Sequence, residues 1–118
     1  MNIDQYNRFC AGLPATSYVV QWRGAHVWKV GGKVFSIAHG TADEESAITF
    51  KTSELSYEIL KEQPGCRPAP YLASRGMKWI QRTGSEGMDD ETLCDYLRQS
   101  HALVVAGLTR KARQNLGL

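Results

Sequence analysis

The sequence predicts an α+β fold, a two-layer sandwich in which a single antiparallel β-sheet carries its helices on one face. Three observations point to it. Four β-type runs follow one another between residues 18 and 51 with short connections, and a Gly31-Gly32 pair sits between two of them. Helical apolar spacing appears before and after this block and does not alternate with its strands, which favours hairpin pairing over parallel crossovers. With 118 residues, 42% of them apolar and 22% charged, the chain reads as one globular domain spanning 1–118.

The first helix follows from Ile3, Tyr6, Phe9, Cys10 and Leu13, which recur at three- and four-residue spacing until Gly12 and Pro14 end it. Residues 18–22 and 26–30 are rich in valine and aromatics, and Gly24 marks a turn between them. Val30-Gly31-Gly32-Lys33 then reads as a two-residue hairpin, because glycine tolerates the positive φ such turns need. A regular ladder from that turn sets Trp28 opposite Phe35 and His26 opposite Ile37. Trp28, Val30, Phe35 and Ile37 would then face the core, and Val27, Lys29, Val34 and Ser36 the more open side. An acidic loop at 40–46 leads to a strand at 47–51 with Ile48 and Phe50 inward.

Ser53 is placed to cap a helix running through Glu62, with Leu55, Ile59 and Leu60 as its apolar stripe, stopped by Pro64 and Gly65. Residues 64–70 read as a rigid, irregular connector. A strand at 77–83 puts Met77 and Trp79 on one face and Lys78, Ile80 and Arg82 on the other. Asp89 opens the clearest helix, which runs to Ala106 with Leu93, Tyr96, Leu97, Leu103 and Val104 as its buried stripe and Gly107 at its end. Thr109 caps a last short helix in which Leu108, Ala112 and Leu116 keep four-residue spacing.

Several chemistries lack their residues. His26, His39 and His101 have no metal-ligand spacing, and His101 lies about 10 Å along the helix from Cys94, too far for thiolate activation within it. No glycine cluster forms a phosphate loop. The carboxylates at 43–45 and 89–91 suit a solvated loop and a helix start. The expectation is a non-enzymatic protein with no catalytic residues, no metal and no cofactor. Three cysteines without a C-x-x-C pair, an N-terminus without a basic-then-apolar signal, and no apolar run of about 20 residues predict a reduced, cytoplasmic protein without a membrane span, with a monomer the favoured state.

Charge is the remaining signal. The net charge is only +2, but it is blocked along the chain: +3 over residues 1–40, −4 over 41–62, +4 over 63–85, −5 over 86–97 and +4 over 98–118. Lys29 and Lys33 frame the Gly-Gly turn; Arg75, Lys78 and Arg82 alternate around the strand carrying Trp79; Arg110, Lys111 and Arg113 open the final helix. These eight form the candidate set for contacting DNA phosphates, which need only a reachable cation.

A set of short motifs runs in order along nearly the whole chain: the Leu13-Pro14 helix end, Val30-Gly31-Gly32-Lys33-Val34-Phe35, Ile48-Thr49-Phe50-Lys51, Trp79-Ile80, Ser100 with Leu103-Val104, and Leu108 followed by Arg110-Lys111-Ala112-Arg113. In these the chain resembles the MmcQ/YjbR family. The resemblance implies a CyaY-like α+β fold with a "double wing" of hairpins proposed to bind DNA, and it carries that role to Lys33, Lys51, the strand around Trp79, Arg110, Lys111 and Arg113. The chain departs from the family pattern at Ala73-Ser74-Arg75-Gly76-Met77-Lys78 and at Thr109. Two readings therefore stand. One is a DNA-associated protein, which needs a connected positive surface. The other is a protein or small-molecule interaction module holding its ligand in a groove between hairpin and helices near Trp79 and Tyr71, which needs a concave apolar pocket.

Overall fold

Asn2 starts the first helix with a reciprocal cap: its side chain accepts from Gln5 N–H at 2.9 Å while the Gln5 side chain accepts from Asn2 N–H at 3.0 Å. In the computed structural model, which describes residues 1–118 apart from the side chain of Ser74, this helix is α1 (Ile3–Ala11). It is followed by β1 (Thr16–Gln21), β2 (Ala25–Val30), β3 (Lys33–His39), β4 (Ala47–Lys51), α2 (Glu54–Leu60), β5 (Cys66–Pro68), a single 3-10 turn (Ala73–Arg75), β6 (Trp79–Arg82), α3 (Asp90–Ala106) and α4 (Arg110–Leu116). The six strands form one sheet in the order β1-β2-β3-β4-β6-β5, every neighbour antiparallel. The α+β sandwich is thus as the pattern of the sequence implies. No helix among the described residues is long and apolar enough to cross a membrane.

The core lies between the sheet and the helices α1 and α3. Tyr6 and Cys10 of α1 and Leu93, Leu97 and Val104 of α3 meet Phe35, Ile48, Phe50 and Ile80 of the sheet, all buried. Burial of such side chains contributes roughly 1.5–3 kcal/mol each. Asp89 caps α3 by accepting from Thr92 N–H at 2.8 Å, and this hydrogen bond holds its carboxyl below the ordinary aspartate range.

The hairpin ladder departs from the regular register. Val30 does face Lys33, but a bulge between Trp28 and Lys29 leaves Phe35 without a partner, so that Trp28 faces Ser36 and His26 faces Ala38. A bulge shifts every later residue of its strand by one, reversing the faces beyond it. Ser36 therefore joins Phe35 on the core side, and Ile37, expected inside, turns to the open face. The polar groups this frees are satisfied by side chains. Tyr6 Oη donates to Ser36 Oγ at 2.9 Å, Ser36 Oγ donates to the Thr49 carbonyl at 2.8 Å, and Ser100 Oγ donates to the Phe35 carbonyl at 2.6 Å.

Three further expectations are corrected. α2 ends at Leu60, and only Leu60 of it is buried; Leu55 and Ile59 are 73% and 58% exposed because the short helix packs mainly against β5 and β6, at the edge of the sheet. The connector at 64–70 is not wholly irregular, since Cys66–Pro68 adds a strand beside β6. Val27, expected on a solvated side, is fully buried.

Candidate functional site

The bulge shapes the open side of the sheet. β3 and β4 are paired only as far as Ser36 and Phe50, so residues 33–35 run on without a β4 partner. At that fork Ser100 of α3 stands between the strands: its hydroxyl accepts from Lys51 N–H at 2.8 Å while donating to Phe35. A cavity of about 500 Å³ opens there, floored by Val34, Ile37 and Trp79, closed behind by Leu103 and Gly107, with Lys33 and Lys51 at its rim.

A second cavity of about 460 Å³ continues across the same face towards His39, Thr49 and Gln81. Trp22, Ile37 and Leu72 line both, so the two make one groove. Its walls are the β1–β2 turn, which carries Trp22, and the segment 70–77, which carries Tyr71, Leu72 and Met77. Gln81 accepts from Arg67 Nε through Oε1 at 2.8 Å, which leaves its amide N–H groups as donors at this end.

Both walls hold backbone that bulky residues seldom adopt. Trp22 has φ 51° and Arg23 φ 63° in one wall, and Tyr71 has φ 67° in the other. Left-handed backbone costs a non-glycine residue roughly 1–2 kcal/mol, and such strain collects at ligand sites. It serves here to hold Trp22, 57% exposed, over the groove.

The eight cations of the candidate DNA set do not share one environment. Lys33 lies at the groove rim. Lys29 pairs with Val34 in the ladder and so stands on the groove's side of the sheet, half-buried. Arg75 is exposed in the 3-10 turn, and Lys78 Nζ lies 4.8 Å from the centre of the Tyr57 ring on α2. Arg110 and Lys111 are exposed and Arg113 half-buried on α4.

Arg82 must be removed from the set. It is 0% exposed and belongs to the interior. Its Nε donates to the Met88 carbonyl at 3.0 Å, Nη2 to Asp90 Oδ1 at 2.9 Å, and Nη1 lies 3.2 Å from Glu45 Oε1 as an ion pair without hydrogen-bond geometry. The N-terminal ammonium joins the same cluster, 2.8 Å from Glu45 and 3.1 Å from Asp90. The strand alternation did put Arg82 opposite Trp79; that side proves to be the one the helices cover.

The sequence had indicated Tyr71, Trp79, Lys33 and Lys51, but it set the groove between hairpin and helices, whereas it lies on the open sheet face and only its closed end meets α3. Trp22, Ile37 and Leu72 were missed as lining residues. A tryptophan beside Arg23-Gly24 at a strand end was the available signal for Trp22; Ile37 had none, because its face depends on the bulge.

The YjbR family model matches residues 11–103. Among solved structures, the chain is similar to a Deinococcus radiodurans protein with a DUF419 domain, at TM-score 0.80 and 22% identity over 99% of this chain and 88% of that one. It is also similar to a Pseudomonas syringae protein solved by structural genomics, at TM-score 0.69 and 15% identity over 87% of this chain and 98% of that one. Both likenesses concern the fold. No curated protein matches the chain.

Proposed function

The chain belongs to the YjbR family, and from that premise we propose that it is a binding protein without catalytic chemistry, whose site is the groove on the open face of its sheet. The observation that carries this reading is the sharing of Trp22, Ile37 and Leu72 by two cavities that together run from Lys33 and Lys51 to His39 and Gln81. A mostly apolar cleft with a few polar groups at its ends is the ordinary form of a small-ligand site. The ligand that fits has a flat apolar body, one anionic end for the two lysines and an acceptor for the Gln81 amide. Neither lysine is engaged in an ion pair among the described residues, so both charges are available.

Phosphate binding on duplex DNA is the second reading. It is favoured by Lys33, Arg75, Arg110 and Lys111, which are exposed and without ion pairs among the described residues.

One pair of probes tests the groove. Anilinonaphthalenesulfonate is a flat apolar anion, and phenylnaphthylamine is its uncharged counterpart. The sulfonate is expected to bind the folded protein at one saturable site. Lys33→Ala with Lys51→Ala should weaken it about tenfold, about 1.4 kcal/mol, while the neutral probe keeps its affinity. Equal losses for both probes, or no saturable binding, would contradict the groove reading. Titration with duplex DNA at several salt concentrations tests the second reading: Z neutralised phosphates give a log–log slope near −0.9Z, and a flat response rejects it.

A further inference from the structure

We propose that β1 is a pairing edge for a second copy of this chain, so that two sheets join edge to edge about a two-fold axis. β1 is the terminal strand of the sheet, and its only strand neighbour is β2, with which it pairs over all six residues without irregularity. In an antiparallel ladder alternate residues turn their N–H and C=O groups away from the neighbour. On β1 those outward groups make no backbone hydrogen bond to any other segment among the described residues.

Exposed edges are usually blunted by a charge, a proline, a bulge or short length. Thr16–Gln21 has none of these devices: its sequence is TSYVVQ, and Tyr18, Val19 and Val20 remain 43%, 36% and 50% exposed. The opposite edge is the reverse case. β5 has three residues, and Arg67 and Pro68 are two of them. Proline lacks the N–H a ladder needs, so β1 of one copy finds no usable partner in β5 of another, and head-to-tail growth is blocked.

A second β1 supplies what the first lacks. An uncharged strand set antiparallel to its own copy brings no like charges together, completes both rows of backbone groups, and closes the assembly at two. The proposal departs from the monomer favoured on the sequence.

Sedimentation equilibrium over roughly a hundredfold range of micromolar concentrations tests the proposal. The wild type is expected to move from the chain mass towards twice that mass. Val20→Lys, and separately Val19→Lys, should weaken the association at least tenfold with unchanged circular dichroism, because the two-fold axis sets each new charge near its copy. Leu55→Lys on the exposed face of α2 should leave it intact. A wild type that stays at the chain mass throughout overturns the proposal. So does a dimer that survives both edge variants, or one that is lost in Leu55→Lys instead.

Discussion

Replacing Arg82 with alanine is expected to lower stability by about 3 kcal/mol, the loss of a fully buried charge with its hydrogen bonds and packing. For a chain of this length that corresponds to a fall of about 12 °C in melting temperature. The guanidinium holds together segments far apart in sequence: the Met88 carbonyl, Asp90 at the start of α3, and Glu45 in the loop before β4. Its removal leaves two half-exposed carboxylates facing one ammonium.

The pH dependence identifies the partner. Burial is the strongest single influence on Asp90 and raises its pKa, but the hydrogen bonds and charges of the N-terminal ammonium and Arg82 together hold the carboxyl below its ordinary value. A carboxyl lowered on folding contributes stability above its unfolded pKa, near 4, and loses it as pH falls through the folded value. The gap in melting temperature between wild type and Arg82→Ala should therefore be widest near pH 7 and narrow below about pH 4. If the variant kept its stability and instead reduced the salt dependence of DNA binding, Arg82 would be a surface contact after all.

The second large effect belongs to Gly65→Ala. Gly65 has φ +78°, and a Cβ there would lie 2.6 Å from the Gly84 carbonyl oxygen, backbone facing backbone. The close approach is needed because Gly65 accepts from Thr83 N–H at 2.8 Å where β5 joins β6. Left-handed φ alone costs an alanine about 1–2 kcal/mol. Gly32→Ala measures that cost by itself, since Gly32 has φ +77° and open space around it. The expected result in urea unfolding is a loss in Gly65→Ala at least twice that in Gly32→Ala. Equal losses would mean that the β5 junction yields. Because β5 carries the Arg67 that orients Gln81, the same substitution should disturb the far end of the groove.

What the sequence revealed was what short-range patterns determine. α3 was legible from Asp89 to Gly107 because cap, apolar stripe and terminator all lie within one segment. The Gly31-Gly32 turn was legible because only glycine suits its φ values of 59° and 77°. The register beyond it was not. The bulged residues are met by hydroxyls distant in the sequence, Tyr6 on Ser36 across 30 residues and Ser100 on Phe35 across 65, and no alternation rule within β3 contains them. Arg82 was misjudged for the same reason, since Glu45 is 37 residues distant. Leu55 and Ile59 keep helical spacing yet stay outside, because where a helix docks is decided by the sheet it reaches. The groove itself is a tertiary product. It needs the fork between β3 and β4, the turn that holds Trp22 and the segment that holds Leu72, which are brought together only by the fold.

The three tryptophans allow the most direct test. Trp22 and Trp79 line the groove, while Trp28 faces the helices and donates through Nε1 to Asn7 at 2.9 Å. In a proton–nitrogen correlation spectrum each indole N–H gives its own signal. On titration with anilinonaphthalenesulfonate, the Trp22 and Trp79 signals should shift together along one saturation curve while Trp28 stays in place. Movement of Trp28 alone, or of all three equally, would place binding away from the open face and contradict the account.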